Sequence, residues 1–201
     1  MSPHVSSSNA AGPQFAYPVA LDLHDVPVLV VGAGTIGARK AEGLAAAGAA
    51  VRVVASEVAP ALDRSIVVEV RERRYEPDDL DGMRLVVSAT GVREVDAAVA
   101  ADAMARGIWV NAADQPADCE FILPAVARAG RLTISVSTDG ASPALAGYLR
   151  DRCRELLTDE VVALAERLAA ERAEIQAAGG TTEGLDWRAR IEAELGPAPG
   201  P

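Results

Sequence analysis

Residues 28–57, VLVVGAGTIGARKAEGLAAAGAAVRVVASE, constrain the fold more than any other stretch. The apolar run PVLVVGA has no polar face, which is the habit of a strand buried on both sides of a parallel sheet. Gly32, Gly34 and Gly37 follow it at G-x-G-x-x-G spacing and open a stretch of helical composition that closes at Gly48. In that context Gly32 permits a tight turn, Gly34 lets backbone approach a pyrophosphate, and Gly37 lets the helix lie close to the sheet. Free N–H groups at the helix start, aided by the helix dipole, favour an anion there. AVRVVA reads as the next strand. Glu57 stands 20 residues after Gly37, where an acid holds a ribose 2′-OH and disfavours a 2′-phosphate. A dinucleotide site preferring NAD over NADP is expected.

The same alternation continues. SIVVEVRERRY reads as a third strand with its extension, RLVVSAT as a fourth, REVDAAVAADAMARG as a helix ended by glycine, and IWVNAAD as a fifth strand. Strands alternating with helices imply right-handed crossovers and an α/β, Rossmann-type parallel sheet. After Phe121 the pattern changes. FILPAVARAGRLTISVST holds two short apolar runs around Ala-Arg-Ala-Gly, expected as an antiparallel or exchanged strand pair. Ser142 should cap a helix with Pro143 at its first position, and Thr158 a second one, with DWRARIEAEL as a short last helix. The expected organisation is loose ends at 1–14 and 196–201, an NAD-binding Rossmann domain at 15–121, a small dimerisation region at 122–157 and a helical C-terminal region at 158–195. The apolar stripes of the last two helices are narrow, so they should pack on a neighbour or on a second subunit.

Charge and residue types narrow the chemistry. A net charge of −10 argues against nucleic acid or an anionic membrane as partner. Cys119 and Cys153 form no CxxC pair, and MSPHVSSSNAAGPQ lacks the apolar core of a signal peptide, so a cytoplasmic location is expected, with no zinc or other protein-held metal site. The histidines, His4 in the N-terminal tail and His24 just before the first strand, suit neither a hydroxy-acid dehydrogenase nor a Ser-His-Asp system. Tyr148 is followed four residues later by Arg152, not by lysine. A carboxylate is therefore the expected acid–base group. Asp114 ends the fifth strand, with Asn111 three residues before it, at the edge where open α/β sheets bind ligands; a turn-starting role is the structural alternative. Arg39 and the single lysine, Lys40, on the first helix, face either the phosphate or the surface, and the surface is the expectation.

GAGTIGARKAEGLAAAGAAVRVVASE, VVSATGVREVDAAV, VNAADQPADCEFILPAV and ISVSTDGASPALAGYLRDRCRELL, in this order, resemble the precorrin-2 dehydrogenase family, over about residues 15–160. The resemblance implies NAD-dependent oxidation of precorrin-2 to sirohydrochlorin in sirohaem biosynthesis by an intertwined homodimer. It matches the family's catalytic aspartate to Asp114, its nucleotide contacts to Thr35, Ile36, Ser56 and Glu57 beside the glycines, and its nicotinamide edge to Ala89 and Thr90. Asp114 would take the proton or hold the macrocycle nitrogens. Some members also insert Fe²⁺ as a second substrate. No methyltransferase half follows here, which points away from the fused three-activity form. Thr138 occupies a position where a serine can lie in the site, and Asp139 and Gly91 depart from the usual pattern. Asn111 is a further candidate for the tetrapyrrole substrate. Arg128, Arg131 and Arg150 are read either as receptors for its carboxylates or as solvated surface charges. A non-catalytic NAD-sensing domain would share the first βαβ unit but would need neither Asp114 nor the Ser-Pro helix start.

Overall fold

The computed structural model describes residues 14, 15 and 17–197. Most of both expected tails therefore lies outside the described residues. By its internal contacts the chain divides between Leu123 and Pro124 into two units.

The first unit is built on five parallel strands: β1 (Pro27–Ala33), β2 (Ala50–Val58), β3 (Glu69–Arg71), β4 (Leu85–Ser88) and β5 (Trp109–Ala112), in the order β3-β2-β1-β4-β5. Helices α1 (Thr35–Ala46) and α2 (Arg93–Ala105) supply the crossovers. Side chains alternate across a strand, so β1 feeds two cores. Val28 and Val30 join Val51, Val53 and Val87 under Ala38, Ala41 and Leu44 of α1. Leu29 and Val31 join Val54, Val86 and Val110 under Val99, Ala100 and Ala103 of α2. Small helix residues let both helices lie close to the sheet. The strand ends that matter for function, at Ala33, Ser88 and Ala112, consequently face the same side.

The third strand is much shorter than the expected 65–75. Asp63 accepts the Ser65 N–H at 2.9 Å and folds residues Arg64–Ile66 into a 3₁₀ turn. Beyond Arg71 the chain bends toward Asp79, which is fully buried and binds Arg71 at 2.8 Å and Arg73 at 2.6 Å while accepting the Glu76 N–H at 3.0 Å. Local alternation favoured a strand there; side-chain pairing favoured a bend.

The second unit begins with the antiparallel hairpin β6 (Ala125–Ala129) and β7 (Leu132–Val136). Helix α3 (Pro143–Arg154) packs on both strands. Ser142 caps it by accepting the Leu145 N–H at 3.2 Å, and Thr158 caps α4 (Asp159–Ala177) by accepting that of Val161 at 3.3 Å. Arg167–Glu194 and Arg190–Glu171 ion pairs hold α5 (Trp187–Leu195) to α4. Leu145, Tyr148 and Leu149 share one face of α3 and are exposed. Among the described residues no helix is long and apolar enough to cross a membrane.

Candidate functional site

The glycine turn has the geometry of an anion cradle. Gly32 has φ +95°, and a Cβ there would lie 2.4 Å from the Ala89 carbonyl oxygen and 2.8 Å from the Thr90 Cα. The turn therefore rests directly on the end of β4. A Cβ on Gly37 would meet the Gly32 carbonyl oxygen at 2.0 Å, so this glycine packs α1 against the turn itself. Around Gly34 nothing lies within 4 Å of such a Cβ, which leaves an open face. No side chain caps α1 and its first turn holds no acid, so the N–H groups there are available to a pyrophosphate. These features fit a dinucleotide. Thr35 and Ile36 stand exposed at the helix start, and Ser56 and Glu57 are exposed near the end of β2.

A cleft of about 260 Å³ opens beyond the carboxyl ends of β4 and β5. Ile36 of α1, Ala89, Asp96 and Asp114 all line it. One cavity thus joins the helix that follows the glycines to the carboxylate that follows β5. Asp114 is exposed and adopts φ +60°, a left-handed conformation uncommon outside glycine and encountered at functional sites. Its loop is closed by groups that sequence reasoning treated otherwise. Cys119 is 7% exposed; its sulfur accepts the Ala112 N–H at 3.2 Å and lies 3.2 and 3.3 Å from the carbonyls of Ala112 and Gln115. Burial pushes this thiol above its ordinary pKa, so it serves as a buried knot and not as a nucleophile.

Asn111, a candidate for substrate contact, is tied into the β5 loop. It is 7% exposed and donates its amide to the Phe121 carbonyl at 3.0 Å, tying the returning loop to β5. Lys40, expected at the surface, is half-buried. Burial, joined by the neighbouring charge of Arg39, lowers its pKa, while Asp114 and Cys119 pull it back up, so its ammonium lies within the field of the Asp114 loop. Arg39 is exposed as expected.

The remaining candidates belong to the second unit. Thr138 accepts the Ser142 N–H at 3.0 Å and lies 3.1 Å from the Ser142 carbonyl, which shapes the entry to α3. Arg131 pairs with Glu166 and Arg150 with Asp151, each at 2.7 Å. Arg128 is exposed. The two paired arginines have protein carboxylates as partners already, which favours the surface alternative for them.

Sequence reasoning overlooked Asp96. It is 2% exposed and accepts hydrogen bonds from the Ser88 hydroxyl, from the Thr90 N–H at 3.1 Å and from the Thr90 hydroxyl at 2.9 Å. It therefore fixes the turn after β4 that floors the cleft. The readable signal was an acid in the first turn of a helix following Ser-x-Thr, which sequence alone assigns equally to helix-dipole compensation.

The family profile described as "Putative NAD(P)-binding" matches residues 19–125. The chain belongs to that family. A second profile, "Sirohaem biosynthesis protein central", matches residues 130–153. Together they correspond to the precorrin-2 dehydrogenase-like N-terminal region of sirohaem synthases, which this chain resembles. The siroheme synthase of Methylococcus capsulatus is 41% identical over 158 residues, covering 77% of this chain and 33% of that protein. That of Methylobacillus flagellatus is 42% identical over 165 residues, covering 80% of this chain and 34% of that protein. The chain thus spans about a third of the length of these curated relatives. Among solved structures, SirC, precorrin-2 dehydrogenase, aligns with a TM-score of 0.66 at 28% identity over 88% of this chain and 86% of that one. This homology to a dehydrogenase agrees with the Rossmann-type sheet.

Proposed function

We propose that the chain is an NAD-dependent dehydrogenase that oxidises precorrin-2 to sirohydrochlorin. The observation that carries the reading is the single cleft shared by Ile36, at the glycine-turn helix, and Asp114. The likeness to SirC and to siroheme synthases supplies the substrate class.

The chain's own groups divide the work. The N–H groups of Thr35, Ile36 and Gly37 hold the pyrophosphate in the field of α1. Ser56 and Glu57 receive the adenosine ribose; the Glu57 carboxylate accepts from a 2′-OH and repels a 2′-phosphate, which selects NAD over NADP. Ala89 and Thr90 floor the nicotinamide side. When bound, NAD⁺ supplies a hydride acceptor. Oxidation of precorrin-2 removes a hydride and a proton, and Asp114 accepts that proton at its exposed carboxylate. The cleft volume suits a nicotinamide; a macrocycle must extend outside it. The exposed Leu145, Tyr148 and Leu149 face of α3 supports a homodimer, with a second copy covering it.

The test follows the tetrapyrrole spectrum and NADH formation in mixtures of protein, precorrin-2 and either NAD⁺ or NADP⁺. Turnover with NAD⁺ that Asp114→Asn abolishes, while nucleotide affinity stays within about twofold, is the expected result. Nucleotide binding with no spectral change would instead make the chain a sensor. Adding Fe²⁺ to the same mixture reads out sirohaem formation as a second activity.

A further inference from the structure

The Asp96 carboxyl is used on one side only. All three of its hydrogen bonds, from the Ser88 hydroxyl and from the Thr90 N–H and hydroxyl, converge on Oδ1. Oδ2 has no donor among the described residues, yet it is not sealed away, since Gln115 Oε1 is the one fully buried side-chain oxygen or nitrogen found without a partner among them. Asp96 is also one of the residues that line the cleft, and that cleft is the opening available to its free oxygen. Three donors on one oxygen fix the rotamer, so the second oxygen is held in place before any ligand arrives.

We propose that Asp96 Oδ2 accepts the carboxamide N–H of the nicotinamide and so orients the ring. This rests on the cofactor reading above. A carboxylate is an acceptor only, so its ligand must present a donor, and the carboxamide NH₂ is the donor that a nicotinamide carries. The approach of Gly32 to Ala89 and Thr90 puts the glycine turn against the loop that Asp96 holds. A nucleotide leaving that turn meets this loop first. A purely structural Asp96 would need Oδ1 alone; an Oδ2 without a donor is unexplained on that view.

The test compares NAD⁺ with its 3-acetylpyridine analogue, in which a methyl replaces the NH₂, by calorimetry on the full chain. Wild type should bind NAD⁺ more tightly by roughly 10- to 150-fold, the range of a hydrogen bond to a charged group. In Asp96→Asn the amide must aim its oxygen at the three donors, which turns its NH₂ into the cleft, so the preference should fall to about twofold or less. An unchanged ratio in that variant, or equal affinities in wild type, would overturn the proposal. Should the variant fail to show a cooperative melt, the wild-type ratio still decides. Failure of wild type to bind either nucleotide would overturn the cofactor reading, and this proposal with it.

Discussion

Three glycines of α1 and its approach make opposite predictions for one and the same change. A Cβ on Gly37 would sit 2.0 Å from the Gly32 carbonyl oxygen, whereas ordinary contacts begin near 3.4 Å. Backbone faces backbone there, so Gly37→Ala forces α1 away from the turn by roughly an ångström, an overpacking worth about 1–3 kcal/mol. For a chain of this size that lowers the melting temperature by roughly 2–12 °C. The N–H groups of the first turn move with the helix, and nucleotide affinity should drop roughly 10- to 150-fold with the loss of one charge-assisted bond. Gly43 lies in the same helix, is exposed and has nothing within 4 Å of its notional Cβ. Gly43→Ala should therefore raise stability by about 0.5–1 kcal/mol and leave binding alone. Gly34→Ala, also in open space, should leave the melting temperature within about 2 °C yet weaken the nucleotide. Thermal melts and calorimetry on the three variants give the answer. Equal melting temperatures for Gly37→Ala and Gly43→Ala would refute the packing argument.

Other consequences follow from buried groups. Burial alone would raise the Asp79 carboxyl, but hydrogen bonds from Arg73, the Glu76 N–H and Arg71 outweigh it and leave its pKa below the ordinary value. Asp79→Asn should cost about 2 kcal/mol at neutral pH. With the folded pKa depressed, that contribution is complete above the unfolded value of about 3.9 and is lost as pH falls through the folded one, so urea curves of the two proteins should converge in acid. Cys119 should resist alkylation in the native protein while the half-buried Cys153 reacts, and mass spectrometry should find both labelled only after unfolding. Light scattering should return a dimer, and Tyr148→Glu on the exposed α3 face should shift it toward monomer.

The parts legible from sequence were those set by near neighbours. PVLVVGA became β1 with its expected bounds because a continuous apolar run before a glycine turn leaves few alternatives. The Ser142 and Thr158 caps were readable because a cap bonds three residues away. What stayed hidden depended on side-chain partners beyond the reach of a cap or of strand alternation. The bend after Arg71 is decided by Asp79, and the role of Asn111 by Phe121, ten residues on. Lys40 reads as an exposed helix residue, yet it is half-buried within the field of Asp114 and Cys119. Asp96 looks like one polar position among alanines, and only the turn from β4 into α2 brings Ser88 and Thr90 to it.

A crystal structure of the protein with NAD⁺ tests the central claim most directly. The account predicts the pyrophosphate on the N–H groups of Thr35–Gly37 and the nicotinamide in the cleft between Asp96 and Asp114. A pyrophosphate bound away from the glycine turn, or a nicotinamide pointing out of that cleft, would contradict it.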